Sequence, residues 1–164
     1  MKYFKDCKTA EDLKKTYKKL AREFHPDLNH DIDENIMKAI NVEYDQMWKR
    51  LKDVHTSADG KTYTSSTTTT ETPEEFREIL NNLMRCDGLT IDIVGSWIWV
   101  TGNTFPHKDT LKNNGFKWAS KKKAWYWHKD EETKRRNSKM TLDEIKNVYG
   151  CETFKASGMK QITA

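Results

Sequence analysis

The sequence predicts an α+β protein, an all-α helical hairpin joined by a Thr/Ser linker to a small α+β domain with an antiparallel sheet. Three observations lead there. Apolar residues recur at helical spacing through residues 1–55. Residues 56–72 hold eight Thr and three Ser, with only Ala58 and Tyr63 apolar, and read as a flexible linker. Beyond residue 73, helical and alternating stretches interleave up to about residue 152, and residues 153–164 read as a flexible tail. With no repeat between the halves, the expectation is two separate folding units.

The first helix follows from Leu13, Tyr17, Leu20, Ala21 and Phe24, one stripe at 3.6-residue spacing. Lys15, Lys18, Lys19 and Arg22 occupy the opposite side, with Lys14 on its flank. Pro26 stops the helix, because the residue before a proline is driven out of the α region. After a polar stretch, Ile36, Met37, Ile40, Tyr44, Met47, Trp48 and Leu51 form a second stripe. Two helices with one apolar face each and a short loop between them pair as an antiparallel hairpin.

The string LKKTYKKLAREFHPDLN resembles helix II and the signature loop of a DnaJ-type J domain. Leu13, Tyr17, Leu20, Ala21, Phe24 and His25-Pro26-Asp27 occupy the family's positions, and Met37, Ile40, Tyr44 and Met47 keep the spacing of its third helix. The resemblance covers roughly residues 3–54 and departs in one respect: helix I must be abbreviated to a short segment near Tyr3-Phe4. It implies a partner rather than a reaction, namely a DnaK-type chaperone whose ATPase is stimulated. His25, Pro26 and Asp27 would dock on it, and Lys14, Lys18 and Lys19, supported by Lys15 and with Arg22 alongside, would meet an acidic surface. Such an encounter is steered electrostatically and is salt-sensitive.

In the second unit, Thr72-Pro73-Glu74-Glu75 combines an N-cap, Pro at the first helical position and a capping-box Glu. Phe76, Ile79, Leu80, Leu83 and Met84 then give a helical face that ends near Asp87-Gly88. LTIDIVG and WIWVTG alternate around Gly95-Ser96 as a β-hairpin, with Trp97 and Trp99 on one face and Ile98 and Val100 on the other. A short helix from about Pro106 closes at Gly115. GFKWAS and AWYW form a second hairpin about Lys121-Lys122-Lys123, and Thr141-Leu142-Asp143-Glu144 opens a last helix ending at Gly150. The expected sheet has four strands, mostly antiparallel, with helices on at least one face. The segment GNTFPHKDTLKNNGFKWASKKKAWYW also resembles a small module of uncharacterised function carried by phages, plasmids and other mobile elements.

Charge and chemistry narrow the function. The whole chain carries +4, but residues 107–139 alone hold 11 Lys/Arg against 4 Asp/Glu. Cations among aromatics are what single-stranded nucleic acid requires, phosphates meeting lysines and bases meeting rings. Trp97, Trp99, Trp125, Trp127, Lys121, Lys122 and Lys123 are therefore a candidate surface for nucleic acid or a protein client, with core packing as the competing role of the tryptophans. No Gly-rich phosphate loop or Ser/His/Asp arrangement occurs, the spacings of Cys86, His107, His128 and Cys151 match no common zinc pattern, and no enzyme, metal or cofactor is expected. Three scattered cysteines without a CxxC pair, no secretory signal and no long apolar run point to free thiols in the cytoplasm. The leading expectation is a J-domain cochaperone whose C-terminal domain holds the client. A nucleic-acid-binding accessory protein, or an inhibitor or decoy of a host protein with the hairpin as scaffold, is the alternative.

Overall fold

The computed structural model describes residues 2–57, 59–66, 68–94, 97–129, 139–149 and 152–155. Helix α1, Ala10–Phe24, starts at Thr9, whose side chain accepts the Asp12 N–H. Its Leu13, Tyr17 and Ala21 are buried as the stripe predicts. Helix α2, Glu34–Leu51, is capped by Asp33 and buries Met37, Ile40, Tyr44, Met47 and Trp48. Tyr17 meets Tyr44 at 4.5 Å between ring centroids, and the Tyr17 hydroxyl donates to Asn41 Oδ1. Lys14 lies near Trp48, so the two helices run antiparallel.

The abbreviated helix I is a turn rather than a helix. Phe4 is fully buried and packs edge-on against Tyr44. The Glu43 carboxylate accepts the backbone N–H groups of Lys2, Tyr3 and Phe4 at 2.9–3.2 Å. Burial works to raise the Glu43 pKa, but these donors outweigh it and hold the carboxyl below its ordinary range. Tertiary anchoring thus replaces the helical turn that so short a segment cannot nucleate.

The Thr/Ser segment differs from the bare spacer expected of it. Strands β1, Val54–Thr56, and β2, Thr62–Thr64, pair antiparallel, and Glu71 is buried. The hairpin is tied to α1 by Glu11, which contacts the His55 ring at 2.7 Å and accepts the Thr56 N–H. Helix α3, Pro73–Met84, opens with the anticipated capping box between Thr72 and Glu75 and ends at Met84, a few residues early. Its Phe76 stacks on Tyr44 and meets Tyr17 edge-on. One continuous hydrophobic cluster runs from Phe4 through α1, α2 and α3 to the sheet, so the two halves share a core instead of forming separate units.

Among the described residues the sheet has five strands, all antiparallel, in the order β5-β6-β4-β3-β7: β3 is Leu89–Val94, β4 Trp97–Gly102, β5 Lys117–Ala119, β6 Ala124–Trp127 and β7 Glu152–Lys155. The fifth strand pairs Glu152–Lys155 with β3, so the tail expected from residue 153 begins as sheet. Gly95 and Ser96 lie outside the described residues. At the far end of the first hairpin, Leu89 pairs with Gly102, whose φ is +89°. The short connection holds a 3-10 turn at Phe105–His107 and helix α4, Lys108–Asn113. Gly115, at φ +82°, donates to Lys112 while Phe116 donates to Leu111, a Schellman closure with Leu111 and Phe116 both buried. Helix α5, Leu142–Tyr149, begins at the predicted Thr141–Glu144 box.

Each face of the sheet has its own cover. Ile91, Ile93, Ile98, Val100, Trp125 and Trp127 point into the large core shared with the helices. Val94, Trp99 and Ala124 on the other face form a smaller cluster with Leu142 and Ile145 of α5. Lys146 of α5 reaches the fully buried Asp92 at 2.5 Å, an ion pair that fixes α5 over β3. Among the described residues, no helix is long and apolar enough to cross a membrane.

Candidate interaction site at the His-Pro-Asp loop

The predicted site residues divide sharply by burial. His25 is the C-cap of α1; its N–H donates to Ala21 O, and its carbonyl accepts from Leu28 and Asn29. Asp27 N–H donates to His25 Nδ1 at 3.2 Å, which makes that nitrogen the acceptor and leaves Nε2 to carry the ring proton. The loop is therefore a compact, internally bonded turn that leaves Pro26 and Asp27 partly open to solvent at the tip of the hairpin. Beside it lies a groove of about 360 Å³, bounded by His25 and Pro26, by Met37 and Lys38 of α2, and by Arg77 and Asn81 of α3. Arg77 is held in place by Asp45 of α2 and Glu74. Burial alone would lower the guanidinium pKa, but the Asp45 carboxylate reverses that and raises it.

The lysines do not act as one face. Lys14, expected to meet an acidic partner, is 1% exposed and pairs with Glu71 at 2.7 Å, its ammonium lying 5.4 Å from the Trp48 ring and 5.2 Å from Phe76. Lys18 is also buried. Lys15 is half-buried, and Lys19 and Arg22 are exposed. The reason is geometric: Lys14 and Lys18 are four residues apart, and the row they form turns toward the remainder of the chain. A helical wheel drawn for α1 alone lacks that neighbour.

The candidate aromatic surface is likewise partitioned. Trp99, Trp125 and Trp127 are buried, so they serve packing rather than a platform. Trp97 is at the margin of exposure and lies in a stack with His128 at 4.1 Å and Trp99 at 5.8 Å. Lys121 and Lys123 are exposed in the β5–β6 turn, where Lys123 adopts φ +50°, while Lys122 donates to Met140 O at 2.8 Å. Among the described residues, Trp118 and Phe105 are the other exposed aromatics of this half. Register puts Trp118 with Trp125 and Val100, on the sheet face opposite to Trp97. The exposed rings thus do not share one plane on the sheet.

Sequence reasoning missed two residues, one beside the loop and one near the start of α1. Arg85, the C-cap of α3, reaches Asp27 Oδ2 at 3.0 Å, and Glu71 neutralises Lys14. Neither carries a local signal, since both partners lie more than fifty residues away. Among the described residues, no group of three or more His, Cys, Asp or Glu side chains is arranged to hold a metal ion. Cys7 and Cys86 are free, and burial pushes both thiols up; Cys151 lies outside the described residues. No protein-family model matches the chain, and no curated protein or solved structure is significantly similar to it.

Proposed function

We propose that the protein is a J-domain-like cochaperone that engages a DnaK-type chaperone through His25, Pro26 and Asp27 and stimulates its ATPase. One observation carries the reading: the tripeptide caps a basic amphipathic helix at the open tip of an antiparallel hairpin, with Met37, Ile40, Tyr44 and Met47 seated in the pairing face. Partner contact beyond the loop falls to Lys15 and Lys19, because Lys14 and Lys18 are buried. The sheet domain, fixed to the hairpin through α3, would carry the client. Attraction between a few exposed cations and an acidic surface gives fast, weak, salt-sensitive association. The test is steady-state ATP turnover by DnaK with wild type and His25→Gln. Stimulation by wild type alone is expected, and equal turnover with both would overturn the assignment.

A further inference from the structure

The carboxylate of the loop is already engaged from within the chain. Arg85 Nη2 stands 3.0 Å from Asp27 Oδ2, closer than the 3.9 Å between that oxygen and His25 Nδ1. Arg85 follows the last turn of α3, where unpaired helix carbonyls favour a cation. The contact is not what docks α3, since Phe76, Leu80 and Leu83 are fully buried and Arg77 pairs with Asp45. It is also open to solvent: the Arg85 side chain is 57% exposed and that of Asp27 36%. A surface pair of this kind contributes little stability and yields readily to a competitor.

We infer that Arg85 is an internal latch on the loop, holding Asp27 against α3 until the partner engages the loop. The inference rests on the cochaperone reading and adds to it a regulating contact between the two halves. The contact is a single charge-assisted bond from Nη2 to Oδ2, which a lysine ammonium could also make. Its removal frees the carboxylate and leaves the loop's own bonds, Asp27 N–H to His25 Nδ1 and His25 N–H to Ala21 O, untouched.

The experiment titrates DnaK ATPase with full-length wild type, Arg85→Ala, Arg85→Lys and Arg85→Ala combined with His25→Gln. Thermal melting monitors folding, and Arg85→Gln is the substitute should the alanine variant not fold. Releasing a surface ion pair should lower the half-maximal concentration of Arg85→Ala about two- to fivefold. Arg85→Lys should stay near wild type, and the double variant should be silent. A response to Arg85→Ala where wild type gives none also supports the latch. Superimposable wild-type and Arg85→Ala curves, both abolished by His25→Gln, overturn the latch and leave the cochaperone reading standing. No response to any variant overturns both.

Discussion

Lys14 Nζ lies 2.7 Å from Glu71 Oε2, and the two side chains are 2% and 3% exposed. The pair links the middle of α1 to the residue that precedes the N-cap of α3. Trp48 Nε1 donates to the Glu71 carbonyl, so the same residue also fastens α2. A lysine that a sequence pattern assigns to partner binding is in fact a tether inside the molecule.

Removing one member of that tether should be costly. Lys14→Ala leaves the Glu71 carboxylate buried without its cation, with an expected loss of about 3–5 kcal/mol in urea unfolding. Lys14→Met together with Glu71→Leu should recover most of it, because two apolar chains need no compensation. A single-variant loss below about 0.5 kcal/mol would mean the pair opens to water.

Lys19 should behave in the opposite way. It is exposed on α1, so Lys19→Glu is expected to leave the urea midpoint unchanged. Under the proposed function it should raise the protein concentration needed for half-maximal ATPase stimulation. The difference between Lys19→Glu and wild type should shrink as salt screens the encounter. An effect that persists undiminished at high salt would rule out steering as its cause.

Acid should unfold the protein partly through Glu11 and Glu43. Burial opposes the charge of Glu11, and the His55 ring overcomes it, so the carboxyl titrates below its usual 4.5. Glu43 is lowered likewise by three backbone donors. A carboxylate whose folded pKa is depressed stabilises fully above its unfolded pKa and loses that contribution as pH falls through the folded value. The stability of Glu11→Gln should therefore converge on that of wild type below pH 4.5 and fall behind it above, as read by urea midpoints across pH. A constant gap between the two at all pH values would remove Glu11 from the acid response.

Gly102 should resist substitution more strongly than Gly60. Both have positive φ, +89° and +76°, but a Cβ at Gly102 would stand 2.5 Å from Gly88 O, whereas one at Gly60 meets nothing within 4 Å. Gly60→Ala carries the backbone strain alone, about 1–2 kcal/mol. Gly102→Ala must in addition push apart the ends of β3 and β4, and its unfolding free energy should drop further. Equal losses at the two sites would mean that the strand ends yield without cost.

The local features were readable from the residues because their causes are local. Stripes at 3.6-residue spacing place Tyr17 and Tyr44 inside, the Thr72–Glu75 and Thr141–Glu144 boxes start two helices, and Pro26 ends α1 at the loop. Alternation puts Ile98 and Val100 on one face of β4 and Trp99 on the other, but cannot say that α5 buries Trp99 as well. The strand β7 and the β1–β2 hairpin have weak patterns of their own and form because a neighbouring strand supplies their hydrogen bonds.

The amino-acid sequence by itself determined the helical hairpin, its His-Pro-Asp tip and the two sheet hairpins, since turn chemistry and periodicity act over a few residues. Only the tertiary structure decided which charges remain for a partner. Glu71 takes Lys14 inside and Arg85 takes hold of Asp27, while Lys19 stays in solvent. Whether a side chain is buried or exposed depends on the segment that packs over it, and here that segment lies more than fifty residues away along the chain.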